Sequence, residues 1–406
     1  MVKREWSRRD ILKSVGVGAL GLGVGAAVYR QMDEYIVGTA SEDGAVAAAS
    51  VSESGHGEVD LRAHTSMTLV CGVFSRARSR ALRARDDVAF VQPDRKLTPV
   101  SGTTSGQDTV STLPWGIDRV DADVAHERGA TGAGADVAVV DTGIDPTHAD
   151  LAGSIADPTV DTNHEAWAAC SGGDCPYPWA DDGGHGTHVA GTAAATGADS
   201  VVGVAPEATL HALKVCSGGG GCRTSAIVEA VRYAADRGWD VLNLSLGSSR
   251  PSPALEAAGQ YAVEAGVVPV AAAGNRGEPD SVGYPAAYGS YLAVSATTAD
   301  DEVAEFSSTG PEVGLAAPGA AVCSTVPGGR AARSGTSMAA PHVTGAVAQL
   351  VADGHDPSTA RERLLDTAED IGQPDTDQGA GLVDVAAALG YDSGDDGVGD
   401  GPGCPA

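Results

Sequence analysis

The sequence is poor in positive charge and in aromatic side chains. Its 406 residues include 26 Lys and Arg against 54 Asp and Glu, and the formal net charge at pH 7 is −28. A surface that acidic repels nucleic acids and anionic membranes, so neither is an expected partner. Aromatic residues make up only 4% of the chain. Ala and Gly fill much of the sequence instead, which limits the apolar area that each residue can bury.

The chain also lacks an apolar run of the ~20 residues that a membrane-spanning helix needs. A mild apolar stretch at Val15–Val28 is too short for that role, and it follows the letters SRRDILK at Ser7–Lys13. This arrangement resembles a twin-arginine export signal, which we place at residues 1–30. We therefore expect a secreted protein whose mature form does not span the membrane.

No CxxC pair occurs among the seven cysteines, which argues against a zinc site and favours disulfides formed outside the cell. Cys71 lies apart from the others in the first hundred residues. The other six form an even set that could pair completely: Cys170, Cys175, Cys216, Cys222, Cys323 and Cys404. The first two and the next two are each close enough to clip a Gly-rich loop, at a gain of roughly 2 kcal/mol. The full pairing stays open.

The chain from Leu113 onward alternates apolar runs of strand length with amphipathic helical runs. Continuous apolar strands separated by helices predict a parallel sheet covered on both faces, with sites at the carboxyl ends of the strands. One helix is predicted to be capped by Thr224 and to end at Gly238. The strands are predicted at Asp136–Val140, Thr209–Val215, Val241–Leu246, Val267–Ala273 and Tyr291–Ala296.

The two ends of the chain differ from this central part. Strand-like runs begin at Glu34 and at Val88, and they enclose an Arg-rich stretch of helical composition at Arg76–Arg85. Residues 101–112 form a polar linker without an apolar period, the type of segment that proteases cut. Residues 391–406 form an acidic, Gly-rich tail that cannot build a core.

Three motifs carry reactive side chains at predicted strand or helix ends. VAVVDTGID delivers Asp141 at the carboxyl end of a strand, DGGHGTHVAGTAAA carries His185 ahead of a helix, and SGTSMAAPHVTGAVAQLV carries Ser337 at a helix start. Together they supply a nucleophile, a general base and a carboxylate that orients the base. Small residues around them, Gly143 and Gly186 among them, let the backbones approach closely.

Each motif taken alone has another interpretation. The Asp141 motif would also suit an aspartic protease, but the second carboxylate would have to be Asp392, in the tail. His185 and His188 would suit a zinc site, but no HExxH motif follows, and His188 is better interpreted as a packed helix residue. A lone GTSMA could be a helix cap at Ser337. Chance occurrence of several such motifs in the order Asp, His, Ser is improbable, so the serine-protease interpretation is favoured over these alternatives.

The order Asp, His, Ser and the surrounding residues resemble the subtilisin family of serine proteases over residues 113–390. The resemblance implies an α/β fold of three layers, an Asp/His/Ser triad, an acyl-enzyme intermediate and polypeptide substrates, with no cofactor needed for the chemistry. It also implies that residues 34–100 fold as a small α+β propeptide that inhibits the enzyme and that the linker is cut by the enzyme itself. We expect a monomer.

The resemblance extends to substrate binding. Asn275, in the block VVPVAAAGNRG, is implied as the side-chain donor of the oxyanion hole, because a neutral amide donates without titrating. Arg276 departs from the family pattern, and a cation on the rim of the pocket would favour acidic residues. The other implied contacts are the substrate-pairing edge Ser245, Leu246 and Gly247, the pocket base Gly283, and Gly274.

Calcium binding is implied only weakly. Asp150 matches a calcium ligand of many relatives, but the loop TGADSVVG that would complete the cage is one residue short, and Ser111 stands where an amide ligand is usual. We therefore expect a weakened or lost calcium site, which Asp199 could partly rebuild.

The charge is uneven along the chain. Residues 1–107 carry 14 Lys and Arg against 12 Asp and Glu, a net +2, whereas residues 108–406 carry 12 against 42, a net −30. Acidic, Lys-poor composition resembles that of secreted subtilisin-like proteases from extreme halophiles and predicts activity in concentrated salt. An ordinary acidic secreted protein is the alternative. For the function, the alternative is a catalytically silent binding module, although the triad and Asn275 are all present.

Overall fold

The computed structural model describes residues 32–99, 102–103, 113–170, 175–218, 221–393 and 404. The predicted export signal lies outside these residues, as do most of the linker and most of the acidic tail. The chain divides into two compact units, Met1–Arg95 and Lys96–Ala406. The last residues of the predicted propeptide, from Lys96, therefore belong to the second unit.

Over residues 32–95 the first unit is a four-stranded antiparallel sheet with two helices, and its strands lie in the order His56–Asp60, Thr68–Ser75, Met32–Thr39, Val88–Pro93. Val37, Val70 and Phe74 are buried in its core. The Arg-rich stretch is a helix because Ser75 caps it and Leu82 is buried, so the α+β expectation is confirmed. The elements are β1 (Met32–Thr39), α1 (Glu42–Ser50), β2 (His56–Asp60), β3 (Thr68–Ser75), α2 (Arg76–Arg83) and β4 (Val88–Pro93).

The second unit holds the remaining strands and helices of the described chain. Its strands are β5 (Lys96–Pro99), β6 (Gly102–Thr103), β7 (Asp136–Asp141), β8 (Glu165–Ala166), β9 (Thr209–Lys214), β10 (Cys222–Arg223), β11 (Val241–Leu244), β12 (Leu246–Gly247), β13 (Val268–Ala272), β14 (Leu292–Thr297), β15 (Val313–Pro318), β16 (Val322–Val326) and β17 (Gly329–Ser334). Its helices are α3 (Trp115–Arg119), α4 (Ala122–Glu127), α5 (His185–Ala194), α6 (Thr224–Ala235), α7 (Pro253–Glu264), α8 (Thr336–Ala352), α9 (Pro357–Asp366), α10 (Asp375–Gln378) and α11 (Val385–Leu389).

A seven-stranded parallel sheet in the order β15, β14, β13, β11, β7, β9, β8 forms the centre of this unit. The five predicted strands are five adjacent strands of this sheet. Their continuous apolar runs are buried, as a sheet covered by helices on both faces requires. The predicted α/β fold of three layers is confirmed.

Three details differ from the sequence-based expectations. The predicted strand at Val241–Leu246 is two strands, Val241–Leu244 and Leu246–Gly247, and the Ser245 hydroxyl between them donates to the Ser337 carbonyl oxygen. Thr224 was expected to cap a helix, but it is the first residue of that helix. The N-cap position is Arg223, whose side chain makes no capping hydrogen bond. It ends at Ala235, and Gly238 lies beyond it in a left-handed conformation with φ of +66°.

Two small antiparallel sheets flank the carboxyl edge of the central sheet. In the first, β5 lies between β10 and β12, so residues from the end of the predicted propeptide complete that sheet. In the second, β17 lies between β16 and β6. The segments on both sides of residues 100 and 101 are thus strands of the second unit.

Three disulfides hold the second unit: Cys170–Cys175, Cys216–Cys222 and Cys323–Cys404. The Cys216–Cys222 bond closes a short loop whose last residue belongs to β10. The Cys323–Cys404 bond attaches the tail to β16, and Cys404 is buried beside Ala332. The predicted acidic tail is therefore joined covalently to the second unit at Cys404.

Candidate active site

Asp141 and His185 form a buried pair at the carboxyl edge of the central sheet. Asp141 is the last residue of β7, and His185 is the first residue of α5. His185 Nδ1 lies 2.8 and 2.9 Å from the two Asp141 carboxylate oxygens. A carboxylate can only accept, so Nδ1 carries the proton and a neutral ring keeps its lone pair on Nε2. The pair thus presents a base directed away from Asp141.

Ser337 is the second residue of α8, and its side chain is fully buried. Its Oγ donates to the Ser245 carbonyl oxygen at 3.0 Å, and Ser245 Oγ donates back to the Ser337 carbonyl oxygen at 2.9 Å. His185 Nε2 is buried without a hydrogen-bond partner among the described residues. Transfer of the Ser337 proton to Nε2 therefore requires that the hydroxyl first leaves the Ser245 carbonyl.

Asn275 lies beside the start of the same helix. Its Oδ1 accepts from the Thr336 backbone N–H and from Thr336 Oγ1, both at 2.9 Å. The Thr336 hydroxyl in turn accepts from the Gly274 N–H at 3.0 Å. These bonds fix the amide with its oxygen toward Thr336, so the Nδ2 donors face the opposite way. The backbone N–H groups of a first helical turn, including that of Ser337, have no partner within the helix.

Two glycines allow the Asp141 and His185 segments to approach. A Cβ on Gly186 would lie 2.2 Å from the Gly143 carbonyl oxygen, and a Cβ on Gly143 would lie 2.3 Å from the Trp179 carbonyl oxygen. Gly143 also has φ of +106°, which side chains disfavour. The expectation of close backbone contact at these two positions is confirmed.

A partly buried polar network that sequence reasoning missed supports the turn before His185. Asp181 accepts from the N–H groups of Gly183, Gly184 and Thr187 at 2.8 to 2.9 Å, and from the Thr187 hydroxyl at 2.5 Å. The same turn is held next to β9 by a fully buried lysine, Lys214.

Lys214 Nζ donates to Asp182 Oδ1 at 2.5 Å and to the Thr142 carbonyl oxygen, adjacent to Asp141. Its side chain is fully buried and that of Asp182 nearly so. The sequence contains only four lysines, and one of them at the end of an apolar strand was a signal for this buried pair.

The predicted substrate-pairing edge is occupied by β5. Leu246 and Gly247 of β12 pair antiparallel with Pro99 and Thr98. On the other edge of β5, Leu97 pairs with Cys222 and is buried. An extended chain therefore binds between β12 and β10, as expected for recognition by strand addition.

Two residues predicted to line the specificity pocket, Gly274 and Gly283, lie close to each other in the structure. The Gly283 N–H donates to the Ala273 carbonyl oxygen at 2.7 Å, so the pocket base adjoins the strand that leads to Gly274. Added side-chain volume at Gly283 would lie 3.3 Å from the Ser248 carbonyl oxygen. Arg276 is exposed and forms an ion pair with Glu278 at 2.9 Å. That pair offsets the positive charge expected to attract acidic residues.

Asp150 is buried and accepts hydrogen bonds on both carboxylate oxygens. The donors are the N–H groups of Asp199, Ser200 and Val201 at 2.6 to 3.2 Å and the Ser200 hydroxyl at 2.9 Å. Donors directed at both oxygens do not fit a cation in the same place. Asp199 contributes its main-chain N–H to this loop. Among the described residues, no group of three or more His, Cys, Asp or Glu could hold a metal ion.

The comparisons with known proteins agree with this geometry. The family model described as "Subtilase family" matches residues 132–382. The chain is 41% identical over 313 residues to "Alkaline protease" of Alkalihalobacillus alcalophilus, covering 76% of each chain. It is 39% identical over 319 residues to "Subtilisin E" of Bacillus subtilis (strain 168), covering 76% of this chain and 77% of the relative. It is 44% identical over 282 residues to "Subtilisin Savinase" of Lederbergia lenta, covering 68% of this chain and 98% of the relative.

The family match covers more than half of the chain, and these relatives are matched over most of their own length. In the part of the chain that the structure describes, no helix is long and apolar enough to cross a membrane. Fold, site geometry and relatives lead to one conclusion: the chain belongs to the subtilase family and is a serine endopeptidase that acts on polypeptide substrates.

Proposed function

We propose that Asp141, His185 and Ser337 are the catalytic triad and that the protein is made as a zymogen that cuts its own chain. The observation that carries the assignment is the buried contact between His185 Nδ1 and both oxygens of Asp141, at 2.8 and 2.9 Å. This contact leaves Nε2 as the base. Ser337, at the start of α8, is the nucleophile.

In this mechanism Ser337 attacks the substrate carbonyl carbon while His185 Nε2 takes its proton. The imidazolium that forms is stabilised by Asp141, which stays ionised. Negative charge develops on the carbonyl oxygen, where Asn275 Nδ2 and the Ser337 N–H donate to it. His185 then gives the proton to the leaving amine. In the second half of the reaction His185 Nε2 takes a proton from water as the water oxygen attacks the acyl carbon. The bond from the acyl carbon to Ser337 Oγ then breaks, Ser337 regains the proton from His185, and the carboxylic acid product leaves.

We propose that the first bond cut is Val100–Ser101. β5 ends at Pro99, paired with Leu246, and β6 begins at Gly102, paired with Ser334 three residues before Ser337. In a substrate that pairs with β12 as β5 does, the residue that follows the partner of Leu246 lies opposite Ser245. The Ser245 carbonyl oxygen is 3.0 Å from Ser337 Oγ. In this chain that next residue is Val100.

The same pairing supports inhibition by the propeptide. β5 takes the place of a substrate strand between β12 and β10, so the segment competes with any other polypeptide for the cleft. Release of the propeptide after cleavage then activates the enzyme. A monomer suffices for this scheme, because every residue named in it belongs to one chain.

Ser337→Ala tests autoprocessing. Expressed alone, the variant should keep its propeptide, whereas the active chain should yield a mature form that begins at Ser101, as measured by intact mass and N-terminal sequencing. Active enzyme added in trans should cut the variant and so show that the variant is folded. If the variant expressed alone were still cut between residues 100 and 112, the proposal that the enzyme processes its own chain would be wrong.

We also propose secretion through the twin-arginine pathway and adaptation to concentrated salt. The SRRDILK motif supports the export route, and three disulfides in the described chain suit an oxidising exterior. The net −30 of residues 108–406, with 12 Lys and Arg against 42 Asp and Glu, supports the salt adaptation.

A further inference from the structure

Arg333 lies on the side of the cleft that receives the part of the substrate released first. It is the next-to-last residue of β17, and it pairs with Thr103 of β6 on one edge and with Val322 of β16 on the other. The next residue along, Ser334, pairs with Gly102. Arg333 therefore lies beside any substrate strand that continues past Ser337.

The Arg333 guanidinium reaches back over the turn that carries the catalytic base. A Cβ on Gly184, the residue before His185, would lie 3.2 Å from Arg333 Nη2. The side chain is partly buried, and this burial lowers the pKa of Arg333 even though the Asp181 and Asp141 charges raise it. Within the described chain, the guanidinium forms no ion pair and donates no hydrogen bond.

The nearby carboxylates already have other partners. Both Asp181 oxygens accept from the Gly183–Thr187 turn, and both Asp141 oxygens face His185 Nδ1. A guanidinium has five N–H donors in a fixed planar fork. Partial burial of such a cation without a hydrogen-bonded anion is costly, so the cleft gains from any ligand that supplies a carboxylate there.

We propose that Arg333 binds an acidic side chain on the first or third residue after the scissile bond and makes such substrates preferred. This inference rests on the proposed endopeptidase function and on the Val100–Ser101 register. Thr103 is the third residue after that bond and pairs directly with Arg333. Side chains alternate along a strand, so the first and third residues face one side and the second faces the other. Arg and carboxylate form short bidentate bonds.

Arg276 shows why charge alone is not the criterion. It is also at the cleft, but it is exposed and already paired with Glu278 at 2.9 Å. An exposed ion pair contributes little free energy in water, and salt weakens its attraction further by screening. Arg333 is more buried and has no such partner, so its preference should persist in brine.

The test uses mature enzyme and internally quenched peptides that share one sequence before the scissile bond and carry Glu or Gln at the first, second or third position after it. A charged hydrogen-bonded pair corresponds to about a tenfold difference in kcat/KM. We expect a Glu-to-Gln ratio of about ten at the first or third position and about one at the second. The ratio compares two substrates of the same protein sample, so partial unfolding of a variant cancels.

Arg333→Gln should reduce the ratio to about one, and Arg333→Glu should bring it below one. The matched control is Arg330→Gln, which makes the same charge change on the same strand and should keep the parent ratio. A ratio that stayed near ten in Arg333→Gln, or equal cleavage of all peptides by the parent enzyme, would overturn this inference alone. Failure to cleave any peptide would overturn the proposed function and this inference together.

Discussion

At the scale of single residues, the reactive groups depend on neighbours that hold them in place. Asn275 is oriented by Thr336, whose hydroxyl both donates to the amide oxygen and accepts from Gly274 N–H. Thr336 does not meet the substrate in the proposed mechanism. It is a positioning residue, and its contribution should appear in the rate of the chemical step more than in substrate binding.

Thr336→Val should lower kcat about tenfold with little change in KM. The change removes one hydrogen bond to Asn275 and leaves the Gly274 N–H without its acceptor, and a single buried bond contributes roughly 1 to 1.5 kcal/mol. Steady-state kinetics on one peptide provides the measurement. Thr336→Ser, which keeps the hydroxyl, is the control and should stay near the parent value. An equal loss in both variants would show that shape, and not the hydroxyl, matters.

Three buried histidines outside the proposed triad are held neutral by the fold. Burial lowers the pKa of His188 to about 3, with further lowering by the charges of Arg333 and His185. Burial lowers the pKa of His164 and of His342 to about 4. His164 shows the reason: its Nε2 lies 2.9 Å from the Ala156 carbonyl oxygen, and its Nδ1 accepts from the Ala212 N–H at 3.0 Å. Protonation of Nδ1 would break the second bond.

These histidines predict loss of stability in acid. In the unfolded chain each takes up a proton below about pH 6.5, whereas the folded protein does not do so until near pH 4 or lower. Their stabilising effect is therefore complete above about pH 6.5 and falls with decreasing pH, by about 1.4 kcal/mol per pH unit for each histidine. Urea unfolding of the Ser337→Ala chain at pH 7.5, 6 and 5, in constant salt, measures the slope. His342→Gln should make the slope smaller by one proton, and a flat profile would contradict the prediction.

The triad residues could be predicted because each lies in a short motif whose chemistry needs that residue type. Their supporting contacts could not be predicted in the same way. The bond from Ser337 to the Ser245 carbonyl, and the burial of Lys214 against Asp182, join residues that are 92 and 32 positions apart. Only the folded chain brings such groups together.

At the scale of elements, the loop after α5 surrounds the carboxylate of Asp150, the residue for which the family resemblance implied a weakened or lost calcium site. Asp199–Val201 wraps its N–H groups around the Asp150 carboxylate. A carboxylate whose two oxygens accept several main-chain hydrogen bonds stabilises the loop that donates them.

We therefore expect chelation to leave stability unchanged. EDTA should not shift the thermal midpoint of the Ser337→Ala chain, because the Asp150 oxygens are bound by the protein. Asp150→Ala should destabilise the fold by about 3 kcal/mol or more, since several buried donors lose their acceptor. Differential scanning calorimetry with EDTA or with added calcium compares the two. A clear fall of the midpoint on chelation would show that a bound cation supports the fold.

Element types could be predicted further than element ends. Apolar runs identified five strands of the sheet, because a strand covered on both faces must be apolar throughout. β8 is only two residues long, Glu165–Ala166, and is partly exposed, so no run marks it. β5 is short and partly polar, and it is a strand only because β10 and β12 offer open edges. Whether such short segments form strands depends on pairing partners that are distant in sequence, which the local sequence does not reveal.

At the scale of the whole molecule, repulsion among the carboxylates opposes folding. With 12 Lys and Arg against 42 Asp and Glu after residue 107, dilute buffer leaves charges interacting over ~30 Å, whereas 1 M salt reduces that range to ~3 Å. Further gain above that concentration must come from salting-out of apolar surface. A core whose members are largely Ala and Val buries little apolar area per residue, so such a gain would matter for its stability.

We predict that activity and cooperative structure are lost below about 1 M NaCl and that sulfate protects better than chloride at equal ionic strength. Peptidase activity and circular dichroism should fall together during dialysis into dilute buffer, with an active-site inhibitor in the structural sample. Full activity and an intact fold at about 0.05 M NaCl would contradict the halophilic interpretation, and the triad assignment would be unaffected.

The bond between Cys323 and Cys404 spans 81 positions in sequence and closes a covalent ring that contains Ser337. A concentrated protease is exposed to attack by its own copies, and Gly-rich surface segments are where such attack starts. One nick anywhere inside the ring opens it but detaches nothing, because both new ends remain joined through the sulfur atoms. Helix α8, which carries Ser337, therefore stays covalently attached to the rest of the protein after a first cut within the ring.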